Sequence, residues 1–185
     1  MMLLEIIKTE IDGLLVLKPK VFSDGRGYFF ESYNKVLFDE AGINYEFVQD
    51  NISKSKRGTV RGIHYQVGKK AQGKLCRVIY GKVIDVAVDV RFGSPTFGKH
   101  FSFELSEDNH AQLWIPPGFA HGFSVLSDEA IFSYKCTALY SKEHERAIVF
   151  NDPDLKIDWK VENPIVSEKD LKAPLFRDIQ KDFSY

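Results

Sequence analysis

The sequence is poor in cysteine and carries almost no excess of charge. Its 185 residues include two cysteines, Cys76 and Cys136, which excludes a disulfide framework and fits a reducing compartment. Lysine and arginine number 25 against 26 for aspartate and glutamate, so the formal net charge of -1 offers no diffuse attraction for nucleic acid or an anionic membrane. Any anionic ligand must therefore be held by locally placed cations.

Long apolar runs are also missing. No run approaches the ~20 apolar residues that a membrane-spanning helix needs. The amino terminus, MMLLEIIKTEIDG, is interrupted by Glu5, Lys8 and Glu10 and lacks the cationic start and uncharged core of a signal peptide. We therefore expect a soluble, cytoplasmic protein. A Gly-x-Gly-x-x-Gly dinucleotide fingerprint is absent too, and we expect no cofactor.

Period-two patterning dominates what is present. Apolar and polar residues alternate along 84–90 and 101–105, which predicts strands with one buried face. Further short strands, punctuated by Gly, Pro, Asn or Asp, are predicted at 14–18, 27–32, 45–50, 60–67, 74–80, 112–115, 122–126, 131–138 and 146–150. So many short strands favour a closed barrel or a sandwich over a βαβ fold.

Helices are few in the predicted fold. Ser32–Ala41 is predicted as a helix that Ser32 caps and the following glycine ends. A second helix is predicted to begin at Ser167, in a Ser-x-x-Asp capping box. We predict a single domain over residues 1–185, with a barrel at about 14–150 and a tail and helix at 151–185 packed back on it.

The segment Arg61-Gly-Ile-His64-Tyr-Gln, followed by Gly73-Lys74, places an imidazole and two cations on neighbouring strands. Histidine can take and return a proton near neutral pH. A single strand histidine is more often structural, but the surrounding cations favour a functional role here. Strict alternation sends Arg61 and His64 to opposite faces, so a shared site requires a bulge at Gly62 or a strand that begins after it.

The segment Pro116-x-Gly118-x-x-His121 resembles the second cupin motif, in which a tight turn presents an imidazole at the mouth or interior of a barrel. Cupin metal sites normally add an earlier His-x-His and a downstream Glu. Here position 62 is Gly and position 66 is Gln. Isolated histidines without a third ligand make a poor transition-metal site, so we expect no metal.

Other residues allow both a structural and a functional interpretation. Tyr134 is either a core aromatic with a backbone partner or a proton donor opposite His64. Helix capping alone explains Asp170, and a functional role requires the tail helix to fold back and hydrogen-bond His64. Polar clusters at 22–31 and 47–51 are usual on surfaces, although their donors beside arginine suit a pyrophosphate.

Several sequence blocks resemble the dTDP-4-dehydrorhamnose 3,5-epimerases, in order from about Val21 to Leu175: VFSDGRGYFFESYN, FVQDNISKSKRG, VRGIHYQ, AQGKLCRVI, VIDVAVDVR, SPTFG, LWIPPGFAHGF, FSYKCT and SEKDLKAPL. The resemblance implies a mainly β protein, a cupin-like jelly-roll β-barrel with a few short flanking helices. It implies a homodimer with strand exchange, in which both subunits contact the substrate.

The resemblance also implies a reaction. A dTDP-4-keto-6-deoxy sugar, dTDP-4-dehydro-6-deoxyglucose, would be inverted at C3 and C5 through an enolate. His64 would be the proton acceptor, oriented by Asp170, with Tyr134 as the proton donor and Lys74 stabilising the enolate. The chemistry suits these residue types, because carbons flanking a ketone carry acidified protons and inversion needs groups on opposite faces.

Substrate-binding residues are likewise carried over from the family. Arg26 and Arg61 would hold the diphosphate, and Tyr140 would stack on thymine. The remaining pocket residues implied by the resemblance are Glu31, Gln49, Asp50, Asn51, His121, Glu145 and Lys169. Arg26 and Glu31 are expected to come from the partner chain.

Three alternatives stay open at this point. A mono-epimerase acting at C3 or C5 alone would carry the same motifs, so the sequence separates it weakly. A non-catalytic nucleotide-sugar-binding cupin has no need to pair His64 with an aspartate and an opposing tyrosine. A metal-dependent cupin oxygenase would contain stoichiometric iron or copper.

Overall fold

The computed structural model describes residues 3–185; Met1 and Met2, which begin the segment MMLLEIIKTEIDG, lie outside the described residues. The strands are β1 (Leu4–Lys8), β2 (Leu15–Pro19), β3 (Phe22–Asp24), β4 (Gly27–Phe29), β5 (Gln49–Lys56), β6 (Val60–Gln66), β7 (Lys74–Tyr80), β8 (Lys82–Asp89), β9 (Arg91–Phe92), β10 (His100–Ser106), β11 (Gln112–Ile115), β12 (Phe119–Val125), β13 (Glu129–Cys136), β14 (Glu145–Ala147) and β15 (Phe183–Ser184). The α-helices are α1 (Lys35–Glu40) and α2 (Glu168–Leu171), with 3-10 helices at Gly68–Lys70, Lys142–His144 and Phe176–Asp178.

Two antiparallel sheets make up the body of the fold. One has six strands in the order β1-β2-β11-β7-β13-β5, and the other has five in the order β10-β8-β12-β6-β14. Most neighbours in each sheet are distant in sequence, as in jelly-roll folds. The prediction of a mainly β protein is confirmed, although within residues 3–185 the two sheets stay separate and do not close into one continuous ring.

The main apolar core lies between the two sheets. The six-stranded sheet contributes Val16, Leu113 and Phe132, and the five-stranded sheet contributes Leu105 and Phe123. Each is almost fully removed from solvent. Burial of a side chain of this size stabilises the fold by roughly 1.5–3 kcal/mol, so the core between the sheets contributes strongly to stability.

Strand β8 is buried on both faces, which corrects the prediction of one buried face. Ala87 faces the core between the sheets. Val86 and Val88 face a second apolar cluster, which the tail residues Leu155 and Trp159 complete. The tail thus forms an additional layer over the five-stranded sheet, and alternation within one strand could not reveal it.

Hydrogen bonds fix this tail layer in place. Ser124 Oγ donates to the Trp159 carbonyl at 2.6 Å, and Trp159 Nε1 donates to the Phe150 carbonyl at 2.7 Å. Further along, the Val60 N–H donates to the Ile165 carbonyl at 2.9 Å. The tail therefore runs beside β6 just before α2 begins.

The helix predictions fare differently. The first helix begins later than predicted, because Asn34 caps it: Asn34 Oδ1 accepts from the N–H groups of Val36 at 3.1 Å and Leu37 at 3.5 Å. The Ser32 carbonyl instead accepts a hydrogen bond from Gln112 Nε2 of β11 at 2.9 Å. The cap at Ser167 is confirmed, since its hydroxyl accepts from the Asp170 N–H at 3.2 Å. None of the helices in residues 3–185 has the length and apolar character to span a membrane.

Candidate active site

A bulge in β6 brings Arg61 and His64 to the same side. His64 pairs with His121 while Arg61 pairs with Phe123, so three steps along β6 oppose two along β12. The extra residue of such a bulge reverses the facing of the residues beyond it. Gly62 accommodates it with φ +126, at a point where a Cβ would lie 2.5 Å from a backbone atom of β12. The irregularity that the sequence required is therefore present.

An open cavity of about 860 Å³ lies beside this bulge. Its wall includes His64, Lys74, Tyr134 and Asp170, so the imidazole and the phenol share one compartment. A smaller recess of about 110 Å³ is also lined by His64, Lys74 and Tyr134, and adds Glu145. Together these spaces have the size of a typical small-molecule site.

His64 and Asp170 form a hydrogen-bonded pair. His64 Nε2 lies 2.6 Å from Asp170 Oδ1, and the Gly62 N–H donates to Oδ2 at 3.5 Å. Burial disfavours the charged carboxylate, but its hydrogen bonds to His64 and its other partners hold the pKa of Asp170 below its usual value. An ionised Asp170 can only accept, so Nε2 donates, and in the neutral tautomer the lone pair is then on Nδ1.

Tyr134 lies on β13, opposite Asn51 of β5 on one side and Cys76 of β7 on the other. Burial raises the pKa of its phenol to about 12. The hydroxyl group is therefore protonated at neutral pH and can donate a proton.

Lys74 is a buried cation in the cavity wall. Its Nζ donates to the His64 carbonyl at 3.3 Å and lies 3.5 Å from His121 Nδ1 and 5.9 Å from the centre of the Tyr134 ring. Burial lowers the pKa of Lys74. Its hydrogen-bond partners are a carbonyl and an imidazole rather than a carboxylate, so its charge can act on a ligand oxygen.

Asp85 is a site residue that the sequence reasoning missed. It is fully buried and accepts from His121 Nε2 at 2.7 Å. His121 then carries the lone pair on Nδ1, facing Lys74; burial lowers the pKa of His121 and favours this neutral form. The alternation of β8 placed Asp85 on its polar side. The signal in the sequence that this side is also covered is the apolar Ala87, which lies on the same side and packs in the core between the sheets.

Cys76, Asp85 and His121 bring potential metal-ligand atoms within 4.8 Å of one another. Burial raises the pKa of the Cys76 thiol well above its usual value, whereas a metal requires the thiolate. The Lys74 ammonium group also lies beside the imidazole of His121. Both features disfavour a divalent cation, and the expected absence of a metal stays a prediction.

A hydrogen-bonded network borders the smaller recess. Glu145 Oε2 accepts from Lys169 Nζ at 2.6 Å and from the Tyr140 hydroxyl at 3.2 Å. Gln49 Oε1 accepts from the Tyr140 N–H at 2.8 Å, and Gln49 Nε2 donates to Asn51 Oδ1 at 3.1 Å. Five residues predicted to bind substrate are thus brought together from four parts of the chain.

Three other predicted binding residues lie away from the cavity within this chain. Arg26, in the turn between β3 and β4, has a 91% exposed side chain paired with Asp24 at 2.6 Å. Glu31 follows the same hairpin and is exposed. Asp50 faces the other side of β5, where it pairs with Lys135 at 3.0 Å, because successive strand residues alternate.

The sequence and the structure were compared with known proteins to identify the family of this chain. The family model for dTDP-4-dehydrorhamnose 3,5-epimerase matches residues 8–178. A dTDP-4-dehydrorhamnose 3,5-epimerase from Shigella flexneri is 54% identical over 176 residues, which cover 95% of this chain and 97% of that relative. This chain belongs to the dTDP-4-dehydrorhamnose 3,5-epimerase family. The expected isomerase is therefore confirmed.

Solved structures agree with this assignment. A dTDP-6-deoxy-D-glucose-3,5-epimerase from Legionella pneumophila, in complex with dTDP-4-keto-L-rhamnose, has a TM-score of 0.95 and 48% identity and covers 98% of each chain. The cupin-like fold of these epimerases is thus confirmed here. A 3'-monoepimerase from Streptomyces bikiniensis, in complex with dTDP-quinovose, has a TM-score of 0.86 and 32% identity and covers 91% of this chain and 86% of its own.

Proposed function

We propose that this protein converts dTDP-4-dehydro-6-deoxyglucose into dTDP-4-dehydrorhamnose by inverting C3 and C5. The observation that carries the proposal is the shared cavity of the His64–Asp170 pair and the Tyr134 phenol. Lys74 contacts the His64 backbone and lies near the Tyr134 ring, between the two.

His64 removes the first proton in this proposal. Its Nδ1 lone pair takes the proton from C3 or C5, and the electrons of the C–H bond form a carbon–carbon double bond while the ketone oxygen becomes an enolate. The Asp170 carboxylate stabilises the resulting imidazolium. Proton transfer by a positioned side chain contributes typically ~10²–10⁴-fold to rate.

Lys74 stabilises the enolate oxygen. A preorganised donor at a developing oxyanion contributes about 3–4 kcal/mol to transition-state stabilisation. His121, itself hydrogen-bonded to Asp85, helps to position Lys74, since His121 Nδ1 lies 3.5 Å from Lys74 Nζ.

Tyr134 completes each inversion. Its hydroxyl group gives a proton to the opposite face of the carbanionic carbon, so the C–H bond forms again with inverted configuration. Solvent then returns a proton to the phenolate, which at a pKa of about 12 is strongly basic, and removes one from His64.

The nucleotide end is proposed to lie against the remaining polar residues. Arg61 holds the diphosphate and Tyr140 stacks on thymine. Gln49, Asn51, His121, Glu145 and Lys169 complete the pocket. Asp50 has no support from its position in this chain, since it faces away from the cavity.

We propose a homodimer in which the β3–β4 hairpin exchanges between subunits and brings Arg26 and Glu31 to the partner's cavity. Phe22, Tyr28 and Phe29 of this hairpin are 44%, 58% and 66% exposed, and a covering partner would bury them. We further propose one domain, since the tail at 151–185 shares a core with the barrel, and a cytoplasmic location, since both cysteines are free thiols.

The test is conversion of dTDP-4-dehydro-6-deoxyglucose in deuterium oxide. Wild-type enzyme is expected to invert both carbons and to label both with deuterium, and His64→Ala to lose turnover while still binding dTDP. Label at one carbon alone would favour a mono-epimerase, like the Streptomyces bikiniensis protein, instead. Equal turnover by His64→Ala would contradict the assigned base.

A further inference from the structure

Ser53 has a buried hydroxyl oxygen without a hydrogen-bond partner among residues 3–185. The residue lies on β5 opposite Phe132 of β13 and lines the cavity that holds His64 and Tyr134. Buried hydroxyl groups in native proteins are normally paired. An unpaired one in a binding cavity therefore indicates a partner that arrives with the ligand.

The inward face of β5 shows which part of the ligand Ser53 meets. Asn51, Ser53 and Ser55 follow one another along this face, roughly 7 Å apart. Asn51 pairs with Tyr134, where the proton is returned. Ser55 Oγ accepts from Arg61 Nε at 3.0 Å. Ser53 thus lies between the proton donor and the guanidinium proposed to hold the diphosphate.

The position of Lys74 gives the substrate a direction. Lys74 pairs with Cys136 of β13. Along β13, Cys136 lies on one side of Tyr134, and Phe132, the partner of Ser53, lies on the other. With the ketone oxygen at Lys74, the far end of the sugar extends past Tyr134 towards Ser53. That far end carries the anomeric carbon and the diphosphate.

The charge of the cavity wall agrees with this direction. The cations Arg61, Lys74 and Lys169 outnumber Asp170 in the lining, while the exposed Lys54 is paired with Glu129 at 2.8 Å. Hydroxyl groups beside cations suit phosphate oxygens, which accept several hydrogen bonds at once.

We propose that Ser53 donates a hydrogen bond to a diphosphate oxygen of the bound sugar nucleotide. Rotation about the Cα–Cβ bond of Ser53 swings its shielded oxygen into the cavity that the residue lines. Ser55 acts as a positioning residue, because accepting from Arg61 fixes the guanidinium beside the same diphosphate. This assignment rests on the proposed function, which supplies the diphosphate.

The experiment compares Ser53→Ala with Ser133→Ala. Ser133 lies on β13 beside Phe132 but faces the opposite side of the sheet, in a separate recess with Asp50 and Lys135. Calorimetry with dTDP is expected to show roughly tenfold weaker binding for Ser53→Ala, the value of one hydrogen bond to a charged group, and no change for Ser133→Ala. Thymidine, which has no phosphate, should bind wild type and Ser53→Ala equally.

The free protein provides a second readout. Removing an unpaired buried hydroxyl leaves the melting temperature of unliganded Ser53→Ala equal to or above that of the wild type. Equal dTDP affinities, or an equal loss for thymidine, would overturn the role of Ser53. If Ser53→Ala binds dTDP more weakly but the wild type turns over no keto sugar, the proposed function alone is overturned. If the wild type does not bind dTDP, both the proposed function and the role of Ser53 are overturned.

Discussion

The pKa values of individual side chains in the cavity differ from those of free amino acids in water. Burial raises the pKa of Tyr134 to about 12 and lowers that of Lys74, while hydrogen bonds overcome burial and keep Asp170 ionised. The sequence motifs indicated these residues, but their ionisation depends on which faces of β13, β7 and α2 are covered. Asp85 escaped prediction for a related reason: the alternation of β8 put it on the polar side, and Ala87 alone indicated that the opposite sheet covers that side.

Replacing Asp170 by asparagine removes the acceptor that fixes the tautomer of His64. The amide N–H would donate to Nε2 and leave the proton on Nδ1, which then cannot accept one from the sugar. We expect kcat to fall about 10²–10⁴-fold with dTDP affinity retained, by analogy with other orienting carboxylates. The control is Asp158→Asn, at an exposed tail residue paired with Lys160, and comparable kcat values for the two variants would refute the orienting role.

Among strands and helices, those with clear alternation, clear flanking turn residues or a standard cap were predictable. Strand β10 lies where the alternation predicted it, and β7 and β11 lie where short runs between turn residues predicted them. Ser167 caps α2 as its Ser-x-x-Asp pattern indicated. The prediction of a strand at 45–50 was wrong, because β5 runs over Gln49–Lys56. Its inward residues are polar since they line a cavity, so no apolar period marks the strand.

The bulge in β6 is testable at Gly62. Alanine there would bring a Cβ to 2.5 Å from a backbone atom of β12, in addition to the unfavourable φ of +126. We expect Gly62→Ala to lower the free energy of unfolding by more than about 2 kcal/mol and to reduce activity, because Arg61 and His64 would lose their common facing.

The matched control for this bulge is Gly93→Ala. Gly93 also has a positive φ, +87, but a Cβ there meets nothing within 4 Å. Gly93→Ala should lower the free energy of unfolding only by the backbone strain of about 1–2 kcal/mol and should leave kcat unchanged. Equal losses of stability and activity in the two variants, measured by urea unfolding and turnover, would show that the close approach at Gly62 is unimportant.

The turn after β8 provides a prediction of pH dependence. Asp89 is fully buried, and its hydrogen bonds from Arg91, Ser94 and Thr96 outweigh burial and lower its pKa below the ordinary 3.8. A lowered folded-state pKa contributes stability above the unfolded-state value and loses it as the pH falls through the folded-state value.

We therefore expect Asp89→Asn to lower the free energy of unfolding by about 3 kcal/mol at pH 7, because Arg91 loses its buried partner. Below pH 3.8 the difference from wild type should narrow, since the wild type progressively loses the same contribution. Urea unfolding of both proteins from pH 7 to pH 3 measures the two curves. A gap that stays constant or widens in acid would contradict the assigned pKa direction.

For the molecule as a whole, the cavity is assembled from both sheets and the tail, and the proposed dimer adds the partner's hairpin. His64 comes from β6, Tyr134 from β13 and Asp170 from the tail helix. The family motifs predicted this set and implied that Arg26 is supplied by the partner chain. Within its own chain Arg26 lies outside the cavity, with its side chain 91% exposed.

Mixed dimers test the exchange of the hairpin. Arg26→Ala and His64→Ala are each expected to be nearly inactive as homodimers. In a hybrid dimer, exchange places the intact Arg26 of one chain beside the intact His64 of the other and restores one complete site. We expect activity to return when the two variants are refolded together. If Arg26 served its own cavity, every site would keep one defect and the mixture would stay inactive.

The decisive measurement is the fate of the C3 and C5 protons in Tyr134→Phe enzyme, followed by NMR in deuterium oxide. With His64 on one flank of the sugar and Tyr134 on the other, loss of the phenol leaves abstraction intact, so deuterium should enter at a measurable rate with configuration retained. Inversion should fall at least about 100-fold. Inversion at the wild-type rate, or loss of exchange and inversion together in a folded variant that binds dTDP, would contradict the placement of these two residues on opposite sides of the substrate.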